Sequence, residues 1–136
     1  MPEALYVVLY RSIASRYLPP HERLALVEDA RAKNATRGVT GMLLYGSMEA
    51  LPQVPGLFVQ WIEGPREAVK ELFETIEDDD RHQEVEVLSE GPPEALGVSG
   101  RLFQDWSMGA ASMSEMPATL SGFLTAYRSG ELGHAA

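Results

Sequence analysis

Cysteine is absent from all 136 residues, which excludes disulfides, a thiolate nucleophile and cysteine-ligated metals. Positive charge is scarce: 11 Lys and Arg against 20 Asp and Glu leave a formal net charge of −9. A nucleic-acid-binding face needs Lys and Arg in excess, so nucleic acid is not expected as a partner. The same charge argues against an anionic membrane surface. Long apolar runs are missing too, with nothing near the roughly 18 residues of a membrane span. The opening Met1-Pro2-Glu3 shows no basic segment followed by an apolar stretch, so no signal peptide is expected. No internal repeat or low-complexity tract is present. These absences lead to the expectation of a soluble, cytoplasmic protein.

What remains is a chain 45% hydrophobic and 23% charged, the balance of a single globular domain with one core. Ala4–Tyr10 reads as a strand rich in Val, Leu and Tyr. Arg11 to Pro20 reads as a loop whose Pro19-Pro20 suits a helix entry. Pro20–Asn34 reads as that helix, with Leu24, Val27, Arg31 and Asn34 on one face. Val39–Tyr45 is a second strand, Gly46–Gly56 a loop, and Leu57–Glu63 a third strand. Gly64-Pro65 opens a second helix whose apolar stripe is Val69, Leu72, Phe73 and Ile76. Four acids, Glu77 to Asp80, follow as a solvated helix end, unfavourable for the dipole. Glu84–Ser89 alternates as an edge strand, Glu90–Gly100 is a loop, and a last strand lies within Arg101–Ala110. Met116–Ser129 reads as a C-terminal helix with a stripe of Leu120, Phe123, Leu124 and Tyr127.

This order predicts an α+β fold: a ferredoxin-like βαββαββ mixed sheet with two helices on one face, plus a C-terminal helix. The first and third strands then lie side by side at the centre, which makes Tyr10 and Gln60 neighbours. The C-terminal stripe covers the bare sheet face or forms an oligomer contact, packing within the chain being the simpler arrangement.

Against this apolar pattern, a few polar residues stand where a sheet should be greasy. Gln60 sits between Phe58 and Ile62 and points inward, where an amide is costly unless hydrogen-bonded. Tyr10 ends the first apolar run, Asn34 closes the helical stripe, and Trp106 and Met108 share one face of the last strand. Each alone has an ordinary reading as a core ring, a helix cap or a packed side chain. Two helices side by side on a sheet can leave a slot between them, which Asn34 would line from one helix while Tyr10 and Gln60 rise from its floor. A flat, polar-edged heterocycle fits there, and a rotatable amide offers it both donor and acceptor.

The text around these residues is distinctive: Leu-Tyr-Arg-Ser (9–12), Asn-Ala-Thr-Arg-Gly-Val-Thr-Gly-Met-Leu-Leu-Tyr (34–45), Phe-Val-Gln-Trp-Ile-Glu-Gly (58–64), Asp-Asp-Arg-His (79–82) and Phe-Gln-Asp-Trp-Ser-Met (103–108). In this the chain resembles the BLUF family, blue-light sensors that bind flavin, from about Leu5 to Ala111. The resemblance implies a flavin-binding domain over residues 1–111 and a C-terminal helical extension over 112–136. It implies FAD as cofactor, with FMN or riboflavin possible, and no catalytic turnover. Tyr10 matches the family's electron and proton donor, and Gln60 the glutamine that bridges it to the flavin N5/O4 edge. Asn34 matches the asparagine on the O4/N3 edge; Arg31, on the same helix face, is taken with it as cofactor-binding. Trp106 and Met108 match a pair that relays the signal, and Arg81 and His82 a basic pair near the ribityl and phosphate end. The absence of cysteine agrees with photochemistry that forms no bond to the protein.

The short tail after Ala111 implies a stand-alone member, a homo-oligomer that signals to a separate downstream protein. Two loops depart from the family by their length, Gly46–Leu57 and Glu90–Leu102. The first precedes the Gln60 strand and is expected to threaten its register. It favours the alternative of an interaction module that has lost flavin or holds it weakly. A third reading, an acylphosphatase-like hydrolase using Arg11 and Asn34, lacks a glycine-rich phosphate loop.

Overall fold

The computed structural model describes residues 4–16, 18–48, 51 and 54–130. Its elements run β1 (Leu5–Ala14), α1 (Pro20–Ala35), β2 (Thr40–Ser47), β3 (Leu57–Pro65), α2 (Arg66–Glu77), β4 (His82–Gly91), β5 (Trp106–Ser112) and α3 (Leu120–Ser129). Single 3-10 turns at Pro93–Leu96 and Met113–Glu115 flank β5. The five strands form one mixed sheet ordered β4-β1-β3-β2-β5, in which only β2 and β5 are parallel. This is the α+β, ferredoxin-like arrangement expected from the order of elements.

β1 is longer than its apolar run. Arg11 to Ala14, expected as loop, continue the strand between β3 and β4. Arg11 and Ser12 broke the apolar pattern, but each has a partner across the sheet. Arg11 Nε pairs with Glu86 at 2.7 Å, and Ser12 Oγ lies 2.7 Å from His82 Nδ1. Pro65 ends β3 and serves as the N-cap of α2, one residue outside the helix it was expected to begin. The acidic run at the end of α2 is not simply solvated, because Asp79 is engaged by Arg81 through several hydrogen bonds.

Strand alternation sorts the core into two layers. On one face Val8, Tyr10, Ile62, Phe58, Tyr45 and Leu43 meet α1 and α2 through Val27 and Val69. On the other, Val7, Leu9, Met42, Leu44, Val59 and Trp61 meet Leu96, Val98 and α3. The α3 stripe therefore packs within the chain. Phe123 is fully buried and stacks on Trp61 with centroids 5.3 Å apart and planes 8° from parallel. Among the described residues no helix is long and apolar enough to cross a membrane.

The long β2–β3 connection leaves the register intact. Pairing runs without a break from Thr40↔Glu63 to Gly46↔Leu57. Glu49, Ala50, Pro52 and Gln53 of that loop lie outside the described residues.

Candidate functional site

The register places one row of side chains across all five strands: Val87, Tyr10, Gln60, Leu43 and Met108, each directly paired with the next. Gln60 is thus central in a central strand, on the face that carries α1 and α2. The two helices stand apart over this row and leave a slot. Tyr10, Leu43, Phe58, Gln60 and Trp106 form its floor; Leu26, Ala30 and Asn34 line the α1 wall, and Leu72, Thr75 and Ile76 the α2 wall. Asp29, Lys33, Arg37, Asp79, Arg81 and His82 complete the lining.

The polar groups within the slot are deeply buried: Tyr10 is 3% exposed, Asn34 4%, Gln60 6% and Trp106 2%. The Tyr10 hydroxyl donates to Gln60 Oε1. Burial pushes the Tyr10 phenol well above its ordinary pKa, because the phenolate would lose its water; Asp79 adds to the shift and Arg81 opposes it. Tyr10 therefore stays a donor, and Gln60 must present its oxygen to it. That orientation turns the Gln60 Nε2 amide away from Tyr10. Among the described residues neither this amino group nor the Asn34 side-chain amide has a protein partner, and the buried Trp106 indole N–H has none either. Buried polar groups are nearly always satisfied. The Trp106 indole N–H is the one such exception among the described residues, and together with the unpartnered Gln60 and Asn34 amides it lines one slot, where the three match the edge of a planar heterocycle with several acceptors, as the isoalloxazine of a flavin has. The residues present fit that group.

The remaining expected site residues divide. Arg81 lines the slot beside Asp79, whose carboxyl its hydrogen bonds hold below the ordinary carboxylate range. His82 also lines it, but both ring nitrogens are taken, Nδ1 by Ser12 and Nε2 by the Ile76 carbonyl at 2.5 Å. An N–H must face that carbonyl, so His82 contributes its ring rather than a free polar atom. It sits edge-on to Tyr10 at 6.0 Å and to Phe58 at 6.2 Å.

Arg31 is not brought into the lining. Its guanidinium donates to the Trp106 carbonyl at 2.7 Å and lies 3.4 Å from Asp105. Met108 shares the floor's row but is separated from Gln60 by Leu43 and packs with Val27, Tyr45 and Phe58. Arg11 and Asn34 do not meet: Arg11 pairs with Val59, on the face away from α1. That removes the geometry of the hydrolase reading.

No signal in the sequence marks the partners of Ser12 and Glu63: Ser12 falls in the segment expected as loop and Glu63 at the end of the third strand, and only the fold brings His82 to one and the Leu102 and Phe103 N–H groups to the other.

The family model for sensors of blue light using FAD matches residues 5–109. Photoactivated adenylate cyclase subunit beta from Euglena gracilis is 33% identical over 116 residues, covering 85% of this chain and 12% of its own length. The chain thus spans about an eighth of the length of such curated relatives. Among solved structures, BlrB, described as a BLUF protein in its dark state, superposes with a TM-score of 0.60 at 34% identity, covering 85% of this chain and 77% of its own. Klebsiella pneumoniae BlrP1 with FMN and cyclic diGMP has a TM-score of 0.63 at 26% identity, covering 97% of this chain and 31% of its own.

Proposed function

The chain belongs to the BLUF family, and from that membership we propose that it is a blue-light photoreceptor in which Tyr10 and Gln60 switch the hydrogen bonds around a non-covalently held FAD. The observation that carries the proposal is the Tyr10–Gln60 hydrogen bond at the floor of a slot whose buried Trp106 indole N–H lacks a protein partner. The flavin, when bound, supplies absorption of blue light and a strongly oxidising excited state. Asn34 and the Gln60 amino group hold its polar edge. Leu26 and Ala30 on one side, and Leu72 and Ile76 on the other, enclose its faces and exclude water. Arg81, lining the slot beside Asp79, is the cation that would meet a ribityl or phosphate tail.

The relay runs through this chain's own atoms. With the bound flavin as oxidant, Tyr10 would give up an electron, and its phenolic proton would move to Gln60 Oε1 as Gln60 Nε2 releases one on its other side, so the amide stays neutral. Both return, and the Gln60 amide is left rotated or tautomerised, with a donor where an acceptor stood. No covalent bond to the protein is needed. The orphaned Trp106 indole on β5 is the neighbour placed to respond, with Met108 following on the same strand. A separate downstream protein reads the change from a cytoplasmic homo-oligomer. The two arrangements of one amide form the two-state element that such signalling requires.

The test is the visible spectrum of the purified protein reconstituted with FAD, in the dark and after blue light. A flavin band that shifts reversibly to the red is expected. A protein that stays colourless after reconstitution would contradict the proposal and favour the interaction module instead.

A further inference from the structure

Glu63 takes no part in the slot, yet it is only 1% exposed. It lies on β3 with Trp61, on the face opposite Gln60. Its carboxylate accepts from the Trp61 indole N–H at 3.0 Å, the Leu102 N–H at 2.9 Å and the Phe103 N–H at 2.6 Å. Burial pushes its pKa up, while these three donors and nearby Arg101 oppose that shift. An ionisable group is an expensive way to fill a core position. What the carboxylate supplies, and an apolar side chain cannot, is a grip on two successive backbone N–H groups.

Those two groups belong to the segment that feeds β5. The Phe103 carbonyl is held by Thr40 Oγ1 at 2.9 Å, and the Leu102 carbonyl by the Tyr127 hydroxyl of α3 at 2.9 Å. Arg101 reaches back to the Gly38 carbonyl at 2.7 Å. Three residues beyond Phe103 stands Trp106, its N–H bonded to Asp105 Oδ1 at 2.8 Å and its carbonyl to Arg31. Between the clasp and the indole the chain has little slack.

We propose that Glu63 is a positioning residue: its carboxylate pins the Leu102–Phe103 peptides to β3 and so fixes where β5 holds the Trp106 indole in the slot. The functional part of this inference rests on the photoreceptor reading above. The two are separable because Glu63 and Gln60 point to opposite faces, so a change at Glu63 leaves the Tyr10–Gln60 contact in place.

The test uses nitrogen-15 NMR and amide hydrogen exchange on the full chain reconstituted with FAD in the dark, comparing wild type, Glu63→Gln and Glu63→Asp. The Trp106 indole is assigned against Trp61→Phe. Glutamine offers one acceptor oxygen where the carboxylate has two, and its amino group would face an N–H donor. In Glu63→Gln the Phe103 amide is expected to exchange about tenfold faster, the size of one lost bond to a charged acceptor. The Trp106 indole resonance should move, and recovery of the dark spectrum after blue light should change severalfold while the extent of the red shift is kept. Glu63→Asp, which retracts the carboxylate by one methylene, should give intermediate values.

Faster exchange at Phe103 with a Trp106 indole at its wild-type position would overturn the proposal, leaving Glu63 a merely structural clasp. Unchanged exchange at Phe103 would overturn it as well. If Glu63→Gln does not fold, a Glu63→Asp protein whose Trp106 indole matches wild type overturns it alone. Absence of a red shift in the wild-type protein would count against the photoreceptor reading, and the dark-state resonances would still decide the positioning role.

Discussion

At the scale of single residues, the site turns on which polar groups find protein partners. Gln60, Tyr10 and Asn34 were legible in the sequence because each stands within or at the end of an apolar pattern, and Trp106 because it shares a strand face with Met108 inside Phe-Gln-Asp-Trp-Ser-Met (103–108). Arg31 and His82 were legible as residues but not as roles. What they do is set by Asp105, the Trp106 carbonyl, Ser12 and the Ile76 carbonyl, all remote in sequence. Tyr10 gives a direct prediction in pH. Its folded pKa is raised, so the unfolded phenol ionises first as pH rises, and stability falls above about pH 10. Below that pH its contribution is fully present. Denaturant titrations between pH 8 and 11 should show a shallower alkaline loss for Tyr10→Phe than for wild type. Parallel curves would mean that the phenol is not held neutral. At pH 8 the same variant should be less stable by about 1–3 kcal/mol, since Gln60 Oε1 loses its donor.

At the scale of elements, periodicity gave the number, order and type of strands and helices, but not their ends. β1 runs four residues past its apolar stretch because Arg11 and Ser12 are paired by β4, and no local signal reports a cross-strand partner. The β2–β3 pairing held despite the long connection, as a two-residue side-chain period strongly specifies register where both faces are buried. Close approach also has an element-scale signature. A Cβ on Gly41 would lie 1.9 Å from the Trp61 carbonyl oxygen, which is backbone and cannot yield without breaking the ladder. Gly41→Ala is therefore expected to lower the melting temperature sharply or to leave the protein insoluble, as circular dichroism and expression yield would show. On the other face, Phe123→Ala should cost about 3–5 kcal/mol by removing the ring stacked on Trp61. The floor of the slot would remain, so flavin binding should survive in the folded fraction. Loss of flavin binding in protein that is still folded would show that α3 shapes the slot.

At the scale of the whole molecule, two helices on one face and one on the other leave a single sheet serving both as the floor of the slot and as the support of α3. A ligand that binds the slot of the folded chain should stabilise the whole fold by mass action, about 2.7 kcal/mol at a hundredfold excess over its Kd. Added FAD should therefore raise the melting temperature of wild type, and raise it much less in Asn34→Ala, where one of the slot's free amides is gone. An equal rise in both would remove Asn34 from the binding role. The most direct measurement is the light-minus-dark absorption spectrum of the FAD-loaded protein beside Tyr10→Phe and Gln60→Leu. The expected result is a reversible red shift in wild type and a flavin band without that shift in both variants. A wild-type-like shift surviving in either variant would contradict the relay through Tyr10 and Gln60.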